Sequence, residues 1–316
     1  MAILVTGGSG FIGSNFIIEW FKKHNETVIN IDSLTYAASG KNLDNLEVDG
    51  YSYIFVNGDI RDSNLVTGLL KRHKCRAVIN FAAESHVDRS ISDPEIFLQT
   101  NVLGTYRLLH ASLNYWKEQS PEDFVFLHIS TDEVYGDLDE AASPFSESNA
   151  FKPNSPYAAS KASSDHFARA FHRTYGLPVI TSNCSNNYGP YQFPEKLIPL
   201  IINNALEDKQ ITIYGDGNQI RDWLYVTDHC SALMNILEAG TPGQTYNVGG
   251  NNEVKNIDVV RTICSELDDI IGRPDKKSYL EQVCHIKDRP GHDRRYAVDS
   301  SKLQQELGWL PVETFS

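Results

Sequence analysis

The chain has 316 residues, 41% hydrophobic and 22% charged, proportions normal for a soluble globular protein of one large domain or two modest ones. A net charge of -13 and a pI near 5.2 argue against a nucleic-acid-binding or anionic-membrane surface, leaving room only for local basic pockets. The five cysteines (Cys75, Cys184, Cys230, Cys264, Cys284) are odd in number and contain no CxxC pair, so no metal is expected and a reducing cytoplasm is.

Residues 3–5 read as a short strand, entered at once with no basic leader or long apolar run, so neither a signal peptide nor a membrane span is expected. The strand runs into Thr6-Gly7-Gly8-Ser9-Gly10-Phe11-Ile12-Gly13, and a helical pattern follows to about residue 23. Glycines spaced GxxGxxG between a strand and a helix let the backbone turn tightly and approach a pyrophosphate, which then sits on the helix N-terminus. The next strand, 27–31, ends at Asp32, placed to bond a ribose hydroxyl and to repel a 2′-phosphate, which favours NAD over NADP.

Residues 51–56 form the third expected strand, closing at Gly58-Asp59, and 62–73 a helix. A fourth strand, 77–80, opens into Phe81-Ala82-Ala83-Glu84-Ser85-His86, whose small residues let the backbone lie against a dinucleotide. A long helix over about 94–117 precedes a buried strand, 124–129, that ends at Thr131-Asp132-Glu133. Strand and helix alternate throughout, which predicts an α/β fold: a Rossmann-type, doubly wound parallel sheet with ligands at the strand C-termini.

Residues 141–156 read as a loop, 155–175 as a helix and 179–183 as another strand. Beyond Tyr191 the rhythm weakens and isolated basic residues appear: Lys196, Arg221, Arg289, His292 and Arg295. We expect residues 1–186 to form the NAD-binding domain. Residues 187–316 are expected to form mainly a smaller C-terminal substrate-binding lobe, with segments around 219–250 returning to the first domain. The chain stops at 313–316 without a predicted closing helix, an ending expected of a sequence that continues a little further.

Tyrosine, with a reference pKa of about 10, is a poor base at neutral pH. Lys161, four residues after Tyr157 on the same helix face, and a nicotinium charge would favour the phenolate. Such a pair takes a proton from a carbinol while hydride leaves its carbon. Once a sugar carbinol is a ketone, the neighbouring C–H is acidic. A carboxylate then removes that proton, and a carboxylic acid protonates the hydroxyl on the next carbon so that it leaves as water. The task needs two carboxyls in different protonation states. Asp132 and Glu133 supply them only if the strand has already turned at Thr131, because adjacent residues on an extended backbone point to opposite faces.

Gly7-x-x-Gly10-x-x-Gly13, Thr131-Asp132-Glu133 and Tyr157-x-x-x-Lys161 resemble the extended short-chain dehydrogenase/reductase superfamily and, within it, the dTDP-glucose 4,6-dehydratases. The resemblance runs from residue 1 to about 309 and includes the stretches 82–90, 186–197, 221–223 and 289–293. It implies a hydro-lyase with NAD as a bound catalyst, dTDP-glucose as substrate and a homodimer. Apolar excess on the helices 94–117 and 155–175 is consistent with packing on a partner. Tyr157 would take the 4-hydroxyl proton, Lys161 hold the nicotinamide ribose and Thr131 bond the 4-oxygen. Glu133 would take the C5 proton and Asp132 protonate the departing 6-hydroxyl. For the cofactor the resemblance implies Gly7, Gly10, Phe11, Ile12, Gly13, Asp32, Leu34, Thr35, Asp59 and Ile60 on one side. It adds Phe81, Ala82, Ala83, Ser85, Thr100, Ser130, Tyr157, Lys161 and Asn187 on the other. For the substrate it implies Ser85, His86, Asn187, Glu195, Lys196, Leu197, Tyr214, Arg221, Asn256, Arg289, His292 and Tyr296. Competing expectations are a UDP-sugar 4,6-dehydratase, a nucleotide-sugar 4-epimerase, against which the Asp132-Glu133 pair argues, and a silent NAD-sensing module, against which Tyr157 and Lys161 argue.

Overall fold

Seven short apolar stretches, spaced by helices, assemble into one parallel sheet in the computed structural model, which describes residues 1–48, 50–121 and 123–315. The strands are β1 (Ala2–Thr6), β2 (Thr27–Asp32), β3 (Tyr53–Asn57), β4 (Cys75–Asn80), β5 (Val125–Thr131) and β6 (Val179–Cys184), with β10 (Thr245–Val248) at one edge. Their order, β10-β6-β5-β4-β1-β2-β3, reverses direction between β1 and β4, the crevice where such sheets bind ligands.

Alternation along each strand loads the two faces. Ile3 and Val5 pack on one side with Phe16, Trp20, Leu127, Ile129 and Leu233. Ala2 and Leu4 pack on the other with Val66, Leu70, Leu108, Phe126 and Phe171. The helices Phe11–Lys23 and Val226–Ala239 cover the first face. Ser63–His73, Thr105–Gln119 and Pro156–Tyr175 cover the second. Trp20 is wholly buried, and its truncation to Ala would cost about 3–5 kcal/mol.

The long helix expected over 94–117 is present as a composite. Pro94–Phe97 is α-helical, Leu98–Gly104 is a π-helix, and Thr105–Gln119 resumes the α-helix. Wide turns of this kind gather at functional sites. Asn101 in this segment is buried; it donates to the Glu84 carbonyl and to Ser160, and accepts from the Glu84 N–H. The short helix Val87–Ser92 was not expected from the sequence; its residues carry no clear amphipathic period, and its start is capped by His86.

The second half builds two small sheets. β9 (Ile220–Tyr225) pairs with β7 (Asn186–Tyr188), β11 (Glu253–Lys255) and β13 (Arg295–Tyr296), while β8 (Ile211–Tyr214) pairs with β12 (Val283–Ile286). Around them Ile201, Ile213, Trp223, Val259, Val260 and Tyr279 form a separate core. Within 219–250, β9 stays with these sheets, whereas Val226–Ala239 and β10 join the large one. Among the described residues, no helix is long and apolar enough to cross a membrane, and no group of three or more His, Cys, Asp or Glu is placed to hold a metal ion.

Candidate active site

The ends of β1, β2, β4, β5 and β6 open into one cleft, lined at its floor by Gly7, Gly10 and Gly13 and roofed by residues 192–196. The helix Phe11–Lys23 begins there with no side-chain cap and no acidic residue in its first turn, so its N–H groups and dipole are free to meet an anion. A Cβ on Gly13 would lie 2.4 Å from the Gly7 carbonyl oxygen, so the tight turn tolerates no side chain. The Asp32 carboxylate is fixed by the Ser9 N–H at 2.9 Å and the Leu34 N–H at 2.8 Å. Each oxygen keeps a lone pair for a hydroxyl. Helix start, glycine turn and Asp32 therefore fit a dinucleotide.

β5 ends where the chemistry begins. Thr131 is the last strand residue, and a 3₁₀ turn, Asp132–Tyr135, starts immediately after it. The Thr131 hydroxyl accepts from the Glu133 N–H at 3.3 Å and donates to Asp132 Oδ1 at 3.3 Å. Gly136 closes the turn at φ +86, with the Lys152 carbonyl oxygen where a Cβ would stand. The turn releases Asp132 and Glu133 from strand alternation, and both line the cleft with Tyr157 and Lys161. Asp132 Oδ2 and Glu133 Oε2 are buried without a partner, as groups awaiting a ligand would be.

The two carboxyls sit in different fields. Asp132 is held far above the usual carboxylate range, first by burial, then by the charges of Glu133 and Asp222; Arg221 and the Thr131 hydrogen bond pull the other way. Glu133 is also raised by burial, but Arg289, Arg221 and Lys196 all oppose that rise. Both carboxyls are raised, and Glu133 is the one whose rise three cations oppose.

Tyr157 is buried and lines the same cleft. Burial and then the Glu133 charge drive its phenol well above the ordinary value, opposed by the Thr131 hydroxyl. Lys161, one turn on, donates to the Ile129 carbonyl at 2.7 Å, which satisfies one of its three protons and positions the amine on the strand. Burial lowers the Lys161 amine, with Asp165 countering.

Of the expected cofactor residues, all line the cleft except Leu34, which has φ 50 and contributes its N–H to Asp32. Of the expected substrate residues, Ser85, Asn187, Glu195 and Lys196 line it. Lys196 donates to the Ser85 carbonyl at 2.7 Å. The others are outside the cleft lining. Arg289 pairs with Asp88 at 3.0 Å, and Tyr214 donates to the same carboxylate at 3.0 Å. His292 bonds Asp288 at 2.6 Å and sits edge-on to Tyr214. Arg221 stacks on Tyr296 at 4.3 Å and donates to the carbonyls of Ile220 and Asp293. His86 lies 3.8 Å from Glu195, Leu197 opens the helix Leu197–Leu206, and Asn256 opens Asn256–Ile270 with its side-chain oxygen unpaired. Sequence reasoning missed Ser33, Ala37, Ile96, Cys184, Gln192 and Phe193, which also line the cleft. Cys184 ends β6 beside the Tyr157 helix, a strand-end position that could have flagged it.

A family model described as GDP-mannose 4,6 dehydratase matches residues 4–316, which places fold and site in a class of dehydratases. A dTDP-glucose 4,6-dehydratase from Xanthomonas campestris is 57% identical over 315 residues, covering 99% of this chain and 89% of the relative. One from Escherichia coli is 55% identical over 326 residues, covering 100% and 90%. A crystal structure of a dTDP-glucose 4,6-dehydratase from Streptomyces venezuelae, with NAD bound, superposes with a TM-score of 0.90 at 42% identity, covering 100% of this chain and 93% of that one. A UDP-glucose 4-epimerase from Thermotoga maritima, with UDP-glucose, gives 0.85 at 27% identity, covering 98% and 94%. The chain belongs to the dTDP-glucose 4,6-dehydratase family.

Proposed function

We propose that the chain converts dTDP-glucose to dTDP-4-keto-6-deoxyglucose, by oxidation at C4, loss of water across C5–C6 and hydride return to C6. The observation that carries this reading is the unequal pair in one cleft with Tyr157 and Lys161: Asp132, which burial and two neighbouring carboxylates push far up, and Glu133, whose rise three cations oppose. NAD, when bound, supplies a hydride acceptor at C4, a hydride donor at C6 and a positive charge beside Tyr157. That charge would offset the burial and the Glu133 charge that raise the phenol.

Tyr157 takes the proton of the 4-hydroxyl, with Thr131 bonded to the same oxygen. Glu133 removes the C5 proton made acidic by the 4-ketone and later returns it. Asp132 gives its proton to the 6-hydroxyl, which leaves as water. Glycines 7, 10 and 13 with Asp32, and Asp59, Ile60 and the 81–85 segment, hold the cofactor; Lys161 orients its ribose. Lys196 and Asn187 at the cleft wall, with Arg289, Arg221, His292 and Tyr296 outside the lining, hold the nucleotide diphosphate. Arg suits the diphosphate because its fork matches two oxygens at once.

Residues 1–186 are proposed as the cofactor domain and 187–316 as mainly the substrate lobe. A homodimer and a cytoplasmic setting complete the reading. The dimer is supported by Leu98, Tyr106, Phe167 and Tyr175, which remain exposed at 56%, 38%, 38% and 47% on the neighbouring helices, and a charged residue at Phe167 is expected to weaken it.

The test of function is incubation with dTDP-glucose, and separately UDP-glucose, without added NAD. Loss of one water from dTDP-glucose, with no build-up of NADH, is expected by mass spectrometry and absorbance. NADH accumulating in step with product would identify a net dehydrogenase instead. A second reading, the UDP-sugar 4,6-dehydratase, is favoured by the likeness to a structure with UDP-glucose, and faster water loss from UDP-glucose would select it.

A further inference from the structure

Tyr36 stands in the loop after β2 whose neighbours Ser33, Thr35, Ala37 and Ala38 line the cleft, yet Tyr36 does not. Its hydroxyl donates to Glu195 Oε1 at 2.8 Å, across 159 residues of sequence. Its ring meets Phe193 edge-on at 5.6 Å and carries the Arg89 guanidinium 3.6 Å above its centre. The second oxygen of Glu195 faces His86, which caps the Arg89 helix, at 3.8 Å. One tyrosine therefore ties together three separate segments: the 33–38 loop and the 192–196 roof, which line the cleft, and the helix Val87–Ser92, which does not. Among the described residues, the loop's backbone bonds run to Asp32 and within the loop, and the next residue, Ser39, bonds Ser9.

A hydride borrowed from C4 must come back to C6 of the same sugar, so the reduced cofactor must not leave in mid-cycle. We propose that Tyr36, with Arg89 and Glu195, is a latch that keeps the dinucleotide in the cleft through a full turnover. The inference rests on the NAD-dependent reading above. Tyr36 and Arg89 touch no reacting atom; they are retention residues. Parting the 33–38 loop from the roof would open the cleft, and the contacts of Tyr36 with Glu195 and Phe193 resist that opening.

The test is the release of radiolabelled NAD from the preloaded enzyme during a chase with excess unlabelled NAD, followed by rapid filtration. Tyr36→Phe loses a hydrogen bond to a charged group and should release NAD about tenfold faster. Tyr36→Ala also loses the ring under Arg89 and should be several-fold faster again. Arg89→Gln should fall between wild type and Tyr36→Ala. With NAD saturating, water loss by Tyr36→Phe should stay within about twofold of wild type. Release rates of both Tyr36 variants within twofold of wild type would overturn the latch. If the wild type dehydrates while these variants retain NAD, only the latch fails. If the wild type neither retains NAD nor dehydrates, the reading it rests on fails with it.

Discussion

The side of the cleft we assign to the cofactor is made of backbone, and the side we assign to the substrate of side chains. Gly7, Gly10 and Gly13 hold their positions because the chain turns there, and Asp32 is fixed by two main-chain N–H groups. Across the cleft, the cations rely on one another's surroundings: Lys196 on the Ser85 carbonyl, Arg289 on Asp88, and Arg221 on two carbonyls and the Tyr296 ring. A backbone site is local in sequence and intolerant of any added atom. A side-chain site is assembled from distant segments, and each member can be removed without closing the cleft. Tyr157, Asp132 and Glu133 lie on the seam between the two.

The seam should show the largest effects. Tyr157→Phe is expected to lower kcat by about 10²–10⁴ with no reduction of bound NAD on adding substrate. Glu133→Gln should still reduce NAD yet fail to exchange the C5 proton with solvent deuterium. Asp132→Asn should reduce NAD and exchange at C5, but lose water slowly, by a similar factor. That defect should shrink with a 6-fluoro substrate, whose leaving group needs less protonation. A 6-fluoro substrate handled no better, relative to wild type, would remove Asp132 as the acid.

Gly13→Ala probes the backbone side. Its Cβ would stand 2.4 Å from the Gly7 oxygen and 2.8 Å from the Gly8 Cα, with only backbone to give way. We expect purified protein with little NAD and a stability loss of about 1–3 kcal/mol in chemical denaturation. Arg289→Ala probes the other side. It should raise KM about tenfold with kcat within about threefold, since a diphosphate contact is made equally before and during reaction. Arg221→Ala should differ from it, lowering kcat as well, because Arg221 opposes the rise of both carboxyls and anchors on the 293 backbone. Equal kinetic signatures for the two arginine variants would erase that distinction.

The smallest effect is one of stability. Asp132 has its folded pKa raised above the ordinary 3.8, so folding is progressively disfavoured as pH rises from that value through the raised one. Below about pH 4 the group is protonated in both states and costs nothing. Asp132→Asn removes the penalty. Its Tm should therefore exceed that of wild type by about 2 °C or more at pH 8, and by less at pH 4. A larger gain at the acid end would show that the carboxyl is not raised.

The glycine turn, Asp32, the Thr131-Asp132-Glu133 segment and the Tyr157–Lys161 spacing were legible because each is a short-range pattern that its own backbone enforces. So were β1 to β6, each within about two residues, since alternating burial on a two-faced sheet needs apolar runs at those places. Other features depended on groups far away in the chain. The π-helix over Leu98–Gly104 is tied to Glu84 and Ser160 through Asn101. The upward drive on Tyr157 comes from burial and from the charge of Glu133. The two carboxyls differ through Asp222, which pushes Asp132 up, and through Arg289 and Lys196, which oppose the rise of Glu133. Local sequence determined which groups stand at the strand ends. The tertiary structure alone decided which way each pKa moves, because burial and the charges of distant segments set the field in which each group ionises.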